Sequence, residues 1–392
     1  MAAYSMRTAC TMAACCLLAT LPARAATETV VYAFQGGSDG ANPLAGLINV
    51  GGTLYGTTNS GGANCAPSGV CGTVFSVTPA GAEAVVHSFG GSGDGAFPSA
   101  GLIEMGGKLF GTTEYGGTGN CTSGCGTVFM MTKTGTEKTL YSFQDGSDGA
   151  HPTAGLTNVG GNLYGTTSVG GANGWGTVFT ITPTGTEKLL YAFKGAPDAG
   201  TPEGSLIEVG GVLYGTTAYG GKSTKCRFHG RCGTVFSVTP AGTESVVYSF
   251  QGGGDGTYPY AGLIAMRGML YGTTEYGGLD NGGTVFSVTP SGTETVMHSF
   301  QGGSDGLYPV ASLINVDGAL YGTTYAGGGG AGFGTVFKIT KTGLESVLYS
   351  FPAGMDGYDP AAGLINVGGS LYGTTQYGGG TNNAGIVFSV KP

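Results

Sequence analysis

Charge is scarce in this chain. Only 10% of its 392 residues are charged, and 15 basic against 23 acidic side chains leave a formal net charge of −8. A surface so poor in Lys and Arg disfavours nucleic acid and anionic membrane as partners, since both are held by basic patches. Beyond the N-terminal segment there is no apolar run of the ~18 residues that a membrane-spanning helix needs. Tryptophan occurs once and histidine four times. No nucleophile elbow, metal-ligating triad or phosphate loop is present, so no cofactor and no metal are expected.

Glycine is abundant instead, with 82 residues. At that level low complexity would be the default, but a fixed repeat period points to a propeller or solenoid. The N-terminus reads as a processing segment. Arg7 precedes an apolar stretch from Ala9 to Leu21, and Ala23-Arg24-Ala25 fits a cleavage site, so residues 1–25 are expected to leave as a signal peptide. Lipidation at Cys15 or Cys16 would need more hydrophobic sequence ahead of them. Three of the nine cysteines (Cys10, Cys15, Cys16) would go with the signal. The other six form three local pairs, Cys65/Cys71, Cys121/Cys125 and Cys226/Cys232. In an exported chain such pairs read as disulfides. Zinc is the alternative, but no pair has a second Cys or His pair at ligand spacing.

Two anchors recur seven times in the same order. One is Leu-Tyr-Gly-Thr-Thr, at Leu54, Leu163, Leu213, Leu270, Leu320 and Leu371, with Leu109-Phe110 as the variant copy. The other is Gly-Thr-Val-Phe, at Gly72, Gly126, Gly176, Gly233, Gly283 and Gly334, with Gly385-Ile386-Val387-Phe388 as the variant. Each unit holds four strand-like runs between Gly and Pro punctuation. In the first unit they are Ala45–Ile48, Leu54–Thr58, Thr73–Val77 and Ala84–Phe89. Units of about 50 residues with four strands match a propeller blade.

The expected fold is therefore all-β: a seven-bladed β-propeller of four-stranded blades, one domain over 26–392. The repeats lie near 41–90, 96–144, 150–194, 201–251, 257–301, 307–351 and 358–392 plus 27–35. The chain ends on a third strand, Ile386–Val390, and begins with a fourth, Thr29–Phe34. The N-terminal strand should thus complete blade 7 and close the ring. Small residues opening each first strand, such as Ala45-Gly46 and Ala362-Gly363, suit a crowded central axis. A monomer is expected.

The succession Phe-x-Gly-Gly-x-Asp-Gly-x-x-Pro, Ala-Gly-Leu-Ile, Leu-Tyr-Gly-Thr-Thr, Gly-Gly and Gly-Thr-Val-Phe resembles the GloVer (Gloeo/Verruco) tandem repeat, and Phe300 to Phe337 shows it well. The resemblance covers essentially all of the chain after the signal. It implies an exported bacterial protein, often with a C-terminal sorting segment, whereas this chain stops at its last strand. It implies no activity. The strand layout is also similar to kelch, without the kelch Trp.

Variation in length is confined to one face, where loops on a rigid scaffold usually carry function. Between Gly-Gly and the glycine of Gly-Thr-Val-Phe, blades 1, 2 and 4 have 9, 8 and 11 residues, and the others 4 or 5. The long loops are those with cysteines. In blade 3, Trp175 stands where Cys71, Cys125 and Cys232 stand elsewhere, either replacing the staple or offering a ligand platform. The blade 4 loop gathers Lys222, Lys225, Arg227, His229 and Arg231, a solvated loop or a site for an anionic group. Tyr115, Tyr219, Tyr276 and Tyr377 precede the Gly-Gly of their loops, and Tyr258 and Tyr308 precede loop prolines. Such rings suit sugar stacking or protein contacts. The aspartates Asp39, Asp94, Asp148, Asp198, Asp255, Asp305 and Asp356 recur once per repeat and read as turn formers, with calcium the weaker alternative.

The function expected is a binding module for glycan or protein on this face, through Tyr115, Tyr219, Tyr276, Lys225, Arg227, Arg231 and Trp175. A polysaccharide lyase or glycoside hydrolase on the same face is the alternative, and a purely structural exported protein the second. For catalysis the weak candidates are Glu114 and Glu275, the only acids directly after Gly-Thr-Thr, and His229.

Overall fold

The computed structural model describes residues 26–63, 71–90, 93–226, 231–330 and 332–392. The proposed signal segment, Cys65, Arg227 and His229 lie outside them. Seven four-stranded antiparallel sheets form the ring. Blade 1 runs from the axis outward as Ile48–Val50, Thr53–Thr58, Thr73–Val77 and Glu83–Ser88. Blade 7 runs Ile365–Val367, Ser370–Thr375 and Ile386–Lys391, and its outermost strand is the N-terminal Thr27–Ala33. That strand pairs antiparallel with the C-terminal one, Thr29 opposite Ser389 and Val30 opposite Phe388. Among the described residues no helix is long and apolar enough to cross a membrane.

The junction between blades 7 and 1 is built like the others. Each outermost strand ends in a buried phenylalanine whose ring meets edge-on the phenylalanine of the next blade's Gly-Thr-Val-Phe. Phe34 and Phe75 are 4.9 Å apart, Phe89 and Phe129 5.2 Å, Phe351 and Phe388 5.1 Å. These rings are the bulk of the core between blades. Gly56 of Leu-Tyr-Gly-Thr-Thr is required by this packing: a Cβ there would lie 2.7 Å from both Phe75 and Leu47.

The two threonines have separate roles. The second is buried and shares a hydrogen bond with the threonine of Gly-Thr-Val-Phe, as in Thr58 with Thr73 at 2.8 Å. In six blades the first donates to the alanine carbonyl at the axial end of the next blade, as Thr57 to Ala100 at 3.2 Å and Thr374 to Ala45 at 3.3 Å; in blade 3 the buried Thr166 hydroxyl faces a glycine-serine pair and makes no such bond. This corrects the sequence reading of the first strand. The innermost ladder begins at Ile48, because the Ala45 carbonyl is taken by a neighbouring blade rather than by its own hairpin. The crowding expected at the axis is present, since a Cβ on Gly46 would stand 3.2 Å from the Gly363 carbonyl oxygen.

The recurrent aspartates close turns at the outer rim. Asp148 accepts the Gln144 amide at 3.0 Å and the Tyr141 hydroxyl at 2.9 Å. Tyr32, Tyr191, Tyr248 and Tyr349 repeat that contact with Asp39, Asp198, Asp255 and Asp356, while His87 and His298 take the tyrosine's place beside Asp94 and Asp305. The first glutamate of the next outermost strand faces each aspartate.

Candidate functional site

The connection entering each blade carries one residue in the left-handed backbone region just before its proline. These are Asn42, Phe97, His151, Thr201, Tyr258, Tyr308 and Asp359, with φ from 55 to 59°. None is glycine, although glycine would fit without strain and is the commonest residue here. A non-glycine residue in this region costs roughly 1–2 kcal/mol, most for β-branched Thr201. Two backbone hydrogen bonds hold each in place. Tyr258, for example, donates its N–H to the Cys232 carbonyl of the preceding blade at 3.0 Å and accepts from the Glu275 amide at 3.1 Å. A short bridge joins the same connection to the residue before Gly-Gly, as between Thr257 and Tyr276. The fold thus aims a ring of side chains from two sequence positions at one face.

Those side chains gather in groups. Tyr115 lies between Phe97 at 5.1 Å and His151 at 4.8 Å. Tyr258 contacts Tyr219 at 5.6 Å and Tyr276 at 6.0 Å, and Tyr276 contacts Tyr308 at 5.1 Å. Tyr377 stacks on Tyr358 at 5.3 Å. The Tyr258, Tyr276 and Tyr308 rings open onto a cavity of about 250 Å³ between blades 4 and 5, together with Lys225 and Asn281.

The described cations of the blade 4 loop line two different cavities. Lys225 lines that tyrosine cavity, whereas Lys222 and Arg231 line a second cavity of about 380 Å³ with Pro197 and Ser223. The Arg231 guanidinium lies over the Trp175 ring at 4.9 Å, and the ring packs on Gly195 and Gly200. Trp175 thus packs at the position that Cys125 and Cys232 hold in their blades, with Arg231 over its ring. Its carbonyl accepts the Thr201 amide at 2.8 Å, as the Cys125 carbonyl accepts His151.

Disulfides join Cys121 to Cys125 and Cys226 to Cys232, with Cα atoms 5.1 and 5.3 Å apart, and Cys71 is also disulfide-bonded. Such bonds fit an extracellular or periplasmic protein. Non-reducing peptide mapping should recover both local pairs and find Cys65 on Cys71. Free thiols or long-range pairs in the exported protein would overturn this.

At the axis, the small residues surround a cavity of about 170 Å³ whose rim includes Glu203 and Tyr260. Sequence reading missed both. Burial pushes the Glu203 carboxyl up to about 7, the Glu114 charge adds to this, and the Thr153 hydroxyl, donating at 2.8 Å, opposes it. Glu275 is also raised by burial, against a hydrogen bond from Tyr276. Burial likewise raises the Tyr260 hydroxyl, with Tyr219, Glu275 and Glu203 contributing. Glu114 accepts the Ser99 hydroxyl at 3.2 Å. The signal for Glu203 was present in the sequence. The residue after the loop proline reads Leu44, Ser99, Thr153, Glu203, Tyr260, Val310 and Ala361, and Glu203 is its only acid.

The Gloeobacter/Verrucomicrobia repeat model matches residues 19–229 and 224–392. The chain belongs to that repeat family. No curated protein matches it. Among solved structures, this family member is similar to a Bacteroides fragilis protein provisionally named a 6-phosphogluconolactonase, with 16% identity and a TM-score of 0.51 over 86% of this chain and 97% of that one. Trypanosoma rangeli sialidase is similar at 11% identity and a TM-score of 0.45, covering 94% of this chain and 60% of that one. The match to tricorn protease, at 10% identity and a TM-score of 0.44, takes in 85% of this chain and only 27% of that one. Of these likenesses only the first bears on this chain, and on its fold alone.

Proposed function

We propose that this repeat-family propeller is an exported binding module that takes a carbohydrate in the cavity between blades 4 and 5. The observation that carries this reading is the cavity itself: about 250 Å³ lined by Tyr258, Tyr276, Tyr308, Asn281 and Lys225. Tyrosine rings stack on the apolar face of a sugar while their hydroxyls meet its polar rim. Lys225 favours a sugar bearing a carboxylate. The test is calorimetry and a glycan array on the purified protein, with neutral and carboxylated oligosaccharides. Tyr276→Ala and Tyr308→Ala should each weaken binding by about 1–2 kcal/mol, roughly tenfold. Asn162→Ala and Asp317→Ala, in hairpin turns on the opposite face, should leave it unchanged. Binding of a carboxylated ligand should also weaken with salt and with Lys225→Ala. No carbohydrate binding across the array, or normal binding by both tyrosine variants, would remove the reading.

Glu203 supports a second reading, that of a polysaccharide-degrading enzyme. A carboxyl held near 7 beside Glu114 at the rim of the axial cavity suits a general acid. Release of reducing ends or unsaturated uronates, lost in Glu203→Gln, would favour it over simple binding.

A further inference from the structure

At the outer rim of the ring a different chemistry is assembled. His298 lies on the outermost strand of blade 5 (Glu294–Ser299), Asp305 on the connection that follows, and Glu345 on the outermost strand of blade 6 (Glu345–Ser350). His298 Nε2 is 3.0 Å from Asp305 Oδ1. One ligating atom from each of the three residues lies within 4.8 Å of the other two, and no other such trio occurs among the described residues. His298 and Asp305 keep 18% and 20% of their side-chain surface exposed, so a solute can reach them.

Comparison within the ring separates this cluster from ordinary turn chemistry. Five blades carry a tyrosine at the position of His298, and its hydroxyl donates to the aspartate. His87 is the other imidazole, 3.3 Å from Asp94. There the facing Glu137 Oε1 already accepts the Thr139 hydroxyl at 3.2 Å. Val347 occupies the position of Thr139 in blade 6, and Glu345 Oε1 is buried without a hydrogen-bond partner. Among the described residues only the cluster at blades 5 and 6 combines an imidazole nitrogen with an uncommitted, buried carboxylate oxygen.

We propose that His298, Asp305 and Glu345 bind a late first-row divalent cation of the zinc class, which clamps blade 5 to blade 6. One imidazole and two carboxylates are the ligand types zinc accepts, with water completing a four-coordinate shell. Calcium is a poor fit, since it needs about 6–8 oxygens and this site gives one nitrogen and two carboxylates.

The probe is zinc chloride, titrated by calorimetry into protein stripped with EDTA, alongside thermal melts. His298→Tyr installs the residue that five sister blades already fold with, so loss of fold is not in question. Wild type should take up zinc and melt higher with it. His298→Tyr should lose one equivalent and the rise in melting temperature, and Glu345→Gln should bind at least tenfold more weakly. His87→Tyr should behave as wild type, and calcium chloride should produce no shift. The proposal is overturned if the wild type takes up no zinc, or if His298→Tyr keeps its full stoichiometry.

Discussion

A chain that starts at Gln35 should melt on the order of 10 °C below one that starts at Ala26, if large domains lose roughly 2 °C per kcal/mol. The segment removed is the whole outermost strand of blade 7, Thr27–Ala33, and the Phe34 that follows it. Phe34 is completely buried, and its ring sits against Phe75 of blade 1. Losing such a ring alone costs about 3–5 kcal/mol through lost burial and the cavity left behind. The truncation also removes the Tyr32 hydroxyl from Asp39 and the full ladder along Ile386–Lys391. An unpaired edge carrying Phe388 and Val390 then faces solvent, so the truncated chain should self-associate as well. Adding a synthetic peptide of residues 26–35 should restore the melt. An unchanged melting temperature in the truncated chain would mean that the other blades carry the stability and that the strand is an accessory.

That much was legible because the two anchors mark the second and third strands in every repeat, and the chain's two ends then complement each other. The start of the innermost strand was misread for a physical reason. Ala45-Gly46 resembles the beginning of a strand, but its carbonyl is bonded by Thr374, a residue 329 positions away. The basic loop was legible as a charge cluster and not as two cavity walls. Lys225 lines the tyrosine cavity at blade 5, while Arg231 lies over Trp175. Tyr258 and Tyr308 could be seen to recur before prolines. Their joining with Tyr276 around one cavity depends on two blades lying side by side, which no local pattern states. Glu114 and Glu275 break the symmetry directly after Gly-Thr-Thr, and Glu203 breaks it one position after the loop proline.

Acidification from pH 8 to pH 5 should stabilise this propeller, contrary to the usual behaviour of a protein whose carboxylates are paired with cations. At the rim, Glu28, Glu83, Glu187, Glu244, Glu294 and Glu345 are each raised to about 7, first by burial and then by the charge of the aspartate opposite. Glu137 moves in the same direction, and Glu203 at the axis is also held at about 7. A carboxyl with a folded pKa above its unfolded value binds its proton more tightly in the folded state. Its contribution is therefore full below about pH 4.5. It is lost as pH rises to about 7 and beyond. The rim groups are only half-buried, so solvent screening leaves on the order of 0.5 kcal/mol for each. Summed around the ring this is about 3–4 kcal/mol, or roughly 5–8 °C in melting temperature. Melts in EDTA at half-unit steps between pH 4.5 and 8.5 check the sign. Replacing Glu187, Glu244 and Glu294 together by Gln should flatten the upper half of the profile, because glutamine keeps the shape and has no proton to lose. A melting temperature that climbs from pH 5 to pH 8 would show that the facing Asp and Glu carry no shared proton and ionise independently.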